Sequence, residues 1–590
     1  MPQITIDGKL LNVENGKTII EAAYLNGLEI PHFCWHPELS VAGNCRMCLV
    51  EVGMPRRLPD GSFEHEEDGS TKIQWMPKLQ IACATPISDG MAVRTKNDKV
   101  IEAQESVMEF LLINHPLDCP ICDEAGECKL QEYAFNHSKG ESRFIEEKNH
   151  KPKRMEWGPN VMYDAERCIL CSRCIRYAKE VAKQDVLTFV ERGDHTYIEL
   201  FEGTQFDNPY SMNVVEICPV GALTSRDFRF KTRVWEMSFT DSICPGCSRG
   251  CNIKIGVRNN IIQRLQPRNN LFVNRYWMCD YGRLTQYPYV NENRVTNNTI
   301  KTNGEQQIVS FDDAKLKAVE LLNNYKPNEI MVLGSGYCTN EDHYTIQRFA
   351  KQVLKTKHID FFQHIDESFK DDFLHTNDMT PNSRGAFEIG ITPVGDGISA
   401  DALANNINKK HIKALILINE KIEDNPIFEA AVENVDCLIV LATNHSRLTE
   451  IADVVFATST YAEIEGTFTN VDGRVQHFTP AVVTSENISR MGMKMSRWDK
   501  FGAYNDRWTR KEERNTKPVW KIITAIANSM AGSFAYKTAE NVFADIALHI
   551  PAFSGMNYEL LDKYQGLVLN KAHQPEPILM NYVSHHMRPE

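Results

Sequence analysis

No apolar run in this chain approaches the ~18 residues needed to cross a bilayer, so the sequence offers no membrane span. Positive charge is also short: 65 Lys and Arg stand against 78 Asp and Glu, a net charge of −13. That balance leaves nothing to neutralise a phosphate backbone, and no nucleic-acid partner is expected. The opening MPQITIDGKLLNVENG lacks a basic-then-apolar signal pattern and the Arg- and Ser-rich character of a transit peptide. The expectation is a protein of a reducing compartment. A dinucleotide fingerprint, a Walker motif and a nucleophile–base pairing are all missing, so the chain is expected to make and break no bonds alone.

Cysteine, by contrast, is abundant and ordered. Fifteen of the 17 cysteines fall into four groups in the first half of the chain. In a reducing compartment such clusters are read as metal ligands rather than disulfides. Cys34, Cys45, Cys48 and Cys83 form C-x10-C-x2-C-x34-C, a loop with a remote last ligand, as in two-iron ferredoxins. Residues 3–7 and 10–13 alternate like a β-hairpin and 18–25 read as a helix, which predicts a ferredoxin-like β-grasp domain. Gly43 and Asn44 would let the backbone wrap closely before Cys45. Residues 54–76, rich in Pro, Gly and charge, read as an exposed loop.

The second group has three thiols, Cys119, Cys122 and Cys128, with His115 four residues before the first, at the end of an apolar stretch, 106–114, that reads as a helix. An imidazole can take the fourth iron position of a cube; the other reading is that His115 caps the preceding helix and the three thiols hold a cluster of only three irons. In the third group, Cys168, Cys171 and Cys174 open a bacterial ferredoxin motif. Its usual fourth Cys is replaced by Ala178, and Cys218-Pro219 closes the set after a long insertion. The fourth group is Cys244, Cys247, Cys251 and Cys279, a four-thiolate site that spacing alone leaves open between zinc and an iron–sulfur cluster. Zinc is the competing metal for the first and third groups as well. If zinc filled them throughout, the chain would be a metal-stabilised scaffold with no redox role.

The order of these groups resembles the large iron–sulfur subunit of respiratory NADH:quinone oxidoreductase (complex I) in its bacterial form. The resemblance covers residues 1 to about 285. It implies one 2Fe-2S cluster on the first set and 4Fe-4S clusters on the second and third, with a further 4Fe-4S cluster on the fourth that the family places off the main path. It also implies an electron relay from NADH and flavin toward quinone, coupled to proton translocation by the whole complex. The implied partners are a flavin/NADH-binding subunit, a ferredoxin-like 4Fe-4S subunit and other peripheral-arm subunits. The implied place is the cytoplasmic face of the bacterial inner membrane, peripheral, with no span of its own.

The back half resembles molybdopterin oxidoreductases at 334–361 and 452–476. Where active members carry a pterin-linking Lys, this chain has Tyr281, and the segment of the metal ligand reads FFQHIDESF, with Ser368 its only hydroxyl and no thiol. No molybdopterin is therefore expected, which also counts against a formate dehydrogenase catalytic subunit. No further Cys set follows Cys279 to serve an iron-only hydrogenase.

The apolar runs 329–335, 412–418, 435–443 and 452–457 predict strands of a doubly wound α/β layer. Gly334-Ser335-Gly336 is too short for a dinucleotide fingerprint and reads as a strand–helix turn. Cys338 and Cys437 read as buried small apolar residues.

The expected layout is an α+β front followed by an α/β molybdopterin-oxidoreductase-like domain. Residues 1–98 form the 2Fe-2S β-grasp, 99–150 the segment with one His and three Cys, and 151–235 the ferredoxin-like module. Residues 236–295 form the four-Cys domain and 296–590 the metal-free α/β domain. The Trp-, Arg- and Lys-rich stretch from 493 and the pair His585 and His586 read as a docking face or solvated helix and a loose tail.

Overall fold

The computed structural model describes residues 1–60, 62–392, 398–420, 425–487 and 514–570. The stretch 493–513 and His585 and His586 lie outside them. The chain forms two compact units, Met1–Glu236 and a second beginning at Met237.

The first unit starts with the expected hairpin, strands Gln3–Ile6 and Lys9–Asn12 in antiparallel register with Ile4 opposite Leu11. Helix Ile19–Leu25 follows. Thr18 and Glu21 form a reciprocal capping box at its start, which satisfies two otherwise open N–H groups. The sheet runs in the order Lys9–Asn12, Gln3–Ile6, Ala92–Arg94, Leu49–Pro55, Ile73–Trp75, and Gln80–Ile81 also pairs with Leu49–Pro55. The parallel contact between Gln3–Ile6 and Ala92–Arg94, with the helix packed on one face, makes the β-grasp. Ile4, Ile6, Ile19, Ala22, Val50 and Val52 fill its core.

Residues 54–76 are exposed, as expected, but they are not an irregular loop. Strand Leu49–Pro55 continues into a ladder in which Arg57 pairs with Phe63 and His65 with Thr71, before Ile73–Trp75 returns to the sheet. Asp60 and Asp68 each accept hydrogen bonds from a Ser two residues on. Aspartate in that role reverses the chain and permits pairing on either side.

The helix before His115 also begins earlier than its apolar stretch, spanning Asp98–Ile113 behind an Asn97 N-cap. The other described strands of this unit form short pairs, Val161–Tyr163 with Leu223–Ser225 and Met155–Glu156, and Leu187–Val190 with Tyr197–Leu200, among the helices Lys129–His137, Arg173–Glu180 and Asn213–Ile217.

The second unit opens with the antiparallel strands Ser238–Ile243, Asn252–Arg258 and Ile261–Pro267. Asn259 and Asn260, both at positive φ, make the tight turn between the last two. A seven-stranded sheet follows, ordered Glu305–Val309, Asn298–Thr302, Val454–Ala457, Cys437–Ala442, Ala414–Ile418, Ile330–Ser335, Ile359–Phe362. The last five are mutually parallel. All four predicted strands are among them.

Side-chain alternation divides the interior in two. Ala414, Ile416, Ile439 and Leu441 face helices Phe311–Leu322 and Val519–Ser529. Leu415, Leu417, Leu438 and Val440 face helices Ala400–Asn408 and Pro426–Val432. Apolar residues on both faces of parallel strands are the mark of a doubly wound sheet. Cys437 and Cys338, each 1% exposed, belong to the first of these cores.

Glu463 ties this unit together. Its side chain is 0% exposed and accepts from Arg294 Nη2 at 2.5 Å and from Arg514 Nη1 at 2.6 Å. Removing it strands two enclosed cations. Glu463→Ala is therefore expected to cost ~3–5 kcal/mol, read as a lower unfolding midpoint in denaturant.

Candidate iron–sulfur centres

The first set is assembled by the sheet. Leu49 lies opposite Ile81, so Cys48 and Cys83, distant in sequence, meet at the same end of one strand pair. The intervening ladder leaves from the other end. The thiols of Cys34 and Cys45, Cys34 and Cys83, and Cys48 and Cys83 are within hydrogen-bonding reach of one another. The bond from Cys45, then that from Cys83, holds Cys34 far below the ordinary thiol range, while the bonds with Cys34 and Cys48 push Cys83 far above it. The Cys34 N–H also points at Cys45 Sγ, at 3.5 Å. Gly43 at φ +63° and Arg46 at φ +61° curl the loop around the site.

In the third set, Cys171, Cys174 and Cys218 are buried and Cys168 is half-buried. Leu170 and Ser172 flank Cys171 in left-handed conformation, at φ +56° and +63°. Successive residues of opposed hand aim backbone N–H groups inward, as with Leu170 N–H on Cys168 Sγ at 3.4 Å. The long insertion is closed by Tyr177, which donates to the Tyr210 carbonyl at 2.9 Å and accepts from Asn213 Nδ2 at 3.0 Å. Helix Asn213–Ile217 then delivers Cys218 to the other three. Burial raises all four thiols, Cys168 to about 11.

The second set lies along helix Asp98–Ile113, the short turn Cys119–Ile121 and the start of helix Lys129–His137. Burial pushes Cys122 up to about 11 and Cys128 higher still; Cys119 is exposed. Burial, then the positive charge of Lys148 and Arg167, lowers His115 to about 4. Its imidazole is therefore neutral near pH 7, the form that can ligate a metal. The capping alternative is not what the helix end displays: Lys148 Nζ donates to the carbonyls of Leu112 at 3.1 Å and Ile113 at 2.6 Å. The His115 ring makes no hydrogen bond among the described residues.

The three sets of this unit are contiguous. The Asn44 side chain donates to the Leu170 carbonyl at 3.1 Å, joining the first set's loop to the third's. The third and second sets share the peptide after Cys218. The Pro219 carbonyl accepts from Lys129 N–H at 3.1 Å and from the Cys128 thiol at 3.9 Å. A Cβ on Gly221 would lie 2.1 Å from Cys122 Sγ. The third set's segments thus contact both of the others, and Phe33 beside Cys34 also packs on Tyr133 of the second set's helix, ring centroids 5.2 Å apart.

In the second unit, strands Ser238–Ile243 and Asn252–Arg258 end together, so Cys244 and Cys251 close a loop, with the Cys244 N–H on the Cys251 carbonyl at 2.8 Å. Cys279 leads helix Asp280–Thr285, and Gly282 N–H points at its sulfur at 3.2 Å. All four thiols are buried, and burial lifts Cys244 to about 12. A Cβ on Gly282 would lie 3.0 Å from Cys244 Sγ and 3.3 Å from Cys279 Sγ.

These features fit multi-iron clusters: thiols that are mostly enclosed, backbone N–H groups aimed at sulfur, and glycines where a side chain would strike a ligand. Among the described residues no three His, Cys, Asp or Glu side chains close on a single ion.

Sequence reading found the cysteines and Gly43 but missed Gly221 and Gly282, visible only as glycines close to ligands. It also missed Arg46, Leu170 and Ser172, whose residue types give no sign of left-handed backbone.

The site does not fit a pterin dinucleotide. Tyr281 packs edge-to-face on Phe369, ring centroids 4.9 Å apart, where the linking Lys would stand. The carboxyl ends of the parallel strands open on a cavity of about 390 Å³ lined by Glu292, Asp342, Glu420, Tyr289 and Tyr461. No Lys or Arg is among its described lining residues.

Residues 2–98 match the family described as 2Fe-2S iron-sulfur cluster binding domain. Residues 104–143 match the NADH-ubiquinone oxidoreductase-G iron-sulfur binding region, and 158–224 the ferredoxin-like domain of NADH-quinone oxidoreductase subunit 3. Residues 237–287 match the molybdopterin oxidoreductase Fe4S4 domain and 375–497 molybdopterin oxidoreductase. Among curated relatives, NADH-quinone oxidoreductase subunit 3 of Thermus thermophilus is 37% identical over 61% of this chain and 47% of its own length. The G-type NADH-quinone oxidoreductase subunit of Rickettsia bellii is 37% identical over 60% and 48%. The NADH-ubiquinone oxidoreductase 75 kDa subunit of Reclinomonas americana is 40% identical over 53% and 42%.

Two outcomes check these sites. Gly221→Ala should displace Cys122 and lower the iron held by the second set, measured per chain, while the first set keeps its signal. His115→Cys should keep a cluster but lower its potential in an EPR-monitored titration, because a thiolate adds negative charge. The chain spans about half the length of the curated relatives it matches, and over its iron–sulfur segments it is similar to the G-type (subunit 3) subunits of NADH-quinone oxidoreductase.

Proposed function

We propose that the chain is the electron-relay subunit of a proton-translocating NADH:quinone oxidoreductase. The observation that carries this reading is the contiguity of three ligand sets within one unit. Iron–sulfur clusters supply one-electron transfer without proton or group chemistry. Around them, Cys34, Cys45, Cys48 and Cys83 would hold a 2Fe-2S cluster. His115 with Cys119, Cys122 and Cys128, and Cys168 with Cys171, Cys174 and Cys218, would each hold a 4Fe-4S cluster.

The residues themselves do three things. They shield most of the sulfurs from water, aim N–H groups at them and fix the spacing through the Asn44–Leu170 and Pro219–Lys129 bonds. Cys244, Cys247, Cys251 and Cys279 would hold a further 4Fe-4S cluster, beside an α/β domain that serves as a scaffold without molybdopterin.

The relatives' names support a place in the peripheral arm of that complex. There the chain would receive electrons from a flavin/NADH-binding subunit and hand them to a ferredoxin-like 4Fe-4S subunit. The site would be the cytoplasmic face of the inner membrane. Among the described residues no helix is long and apolar enough to cross a membrane.

Anaerobically purified protein should be brown and contain iron and acid-labile sulfide, with no stoichiometric zinc, molybdenum or tungsten. A colourless, sulfide-free sample would overturn the relay. Stoichiometric molybdenum would overturn the scaffold.

A further inference from the structure

Between the first and third ligand sets lie two guanidinium groups. Both come from helix Arg173–Glu180, which also carries Cys174. Arg173 is 0% exposed. It donates to the carbonyl of Trp35, next to Cys34, at 2.5 Å, and to that of Ile217, next to Cys218, at 3.0 Å. Arg176 donates to the carbonyls of Cys34 at 2.5 Å and Cys171 at 3.3 Å, and also to that of Ser40. Ser40 N–H in turn donates to Glu180, at the end of the same helix, at 2.8 Å. Each arginine therefore touches the peptide at or beside one ligand from each set.

We infer that Arg173 and Arg176 are positioning residues forming a junction that fixes the distance between the first and third centres and raises the potential of both. The inference rests on the relay reading above. The physical ground is twofold. A planar fork held by carbonyls on two loops fixes their separation more firmly than a single flexible ammonium could. A cation close to a cluster favours the reduced, more negative state, and nearby charge is one of the main determinants of iron–sulfur potentials. Because one side chain serves both loops, its charge acts on donor and acceptor together. The potential difference between them is kept small while both rise.

The test is an EPR-monitored redox titration of the full chain carrying its clusters. In Arg176→Met, the reduced-to-oxidised ratio of the first and third centres at fixed ambient potential should fall together, each about tenfold, or about 59 mV for one electron. The His115 set, which neither arginine touches in these contacts, should hold its potential. Unchanged potentials at both centres, or a shift at only one, would overturn the junction. Arg176→Lys is the companion variant and carries the test if the Met variant loses iron. It keeps the charge but not the fork, so both potentials should stay near those of the unmodified chain while magnetic coupling between the two centres weakens; unchanged coupling would overturn the spacing role. Failure of the relay reading looks different, since the unmodified protein would then show no cluster signals at all.

Discussion

Crowding ionisable sulfur into an enclosed space is unfavourable, and most of this chain's front half is organised around that cost. In the third and fourth sets burial raises every thiol whose shift is resolved, so in the absence of metal these groups hold their protons. Deprotonating several neighbours at once needs a multivalent cationic cage among them, and metal binding then becomes part of folding. The N–H groups of Cys34, Leu170 and Gly282 aimed at sulfur lower the remaining penalty. The glycines at 221 and 282 leave the sulfurs room.

The same requirement explains the architecture of the first unit. A remote ligand must be returned to its set without a long structureless connection. Pairing of Leu49 with Ile81 does this for Cys83, and the Tyr177–Asn213 bond does it for Cys218. The second unit brings Cys244 and Cys251 together at the ends of adjoining strands. In all three cases ordinary backbone pairing or one buried polar bond replaces sequence proximity.

What the sequence made legible was mostly what depends on spacing or period. Ligand sets follow from cysteine intervals, and the four parallel strands from short apolar runs flanked by helical patterns. What stayed hidden depends on partners far along the chain. Residues 54–76 read as a loop because composition reports exposure rather than pairing. Helix Asp98–Ile113 reads as shorter than it is because its first turns, DKVIEAQE, are polar on most sides. Arg173 and Arg176 resemble surface charges until their carbonyl partners at 34–35, 171 and 217 are located.

The ladder spanning 54–76 bears on how the β-grasp sheet meets its surroundings. Strand Ile73–Trp75 is an outer strand, and a bare outer strand offers unsatisfied amide and carbonyl groups on which a foreign strand can grow. Here the adjoining arm carries Arg56, Arg57, Glu64, Glu66, Glu67 and Lys72, with Arg56 and Lys72 both paired to Glu64. The Arg94 guanidinium covers the Trp75 ring at 3.9 Å. Charge at that margin makes uninvited strand addition costly, so a chain dense in cysteine is guarded against self-association along one side of its sheet.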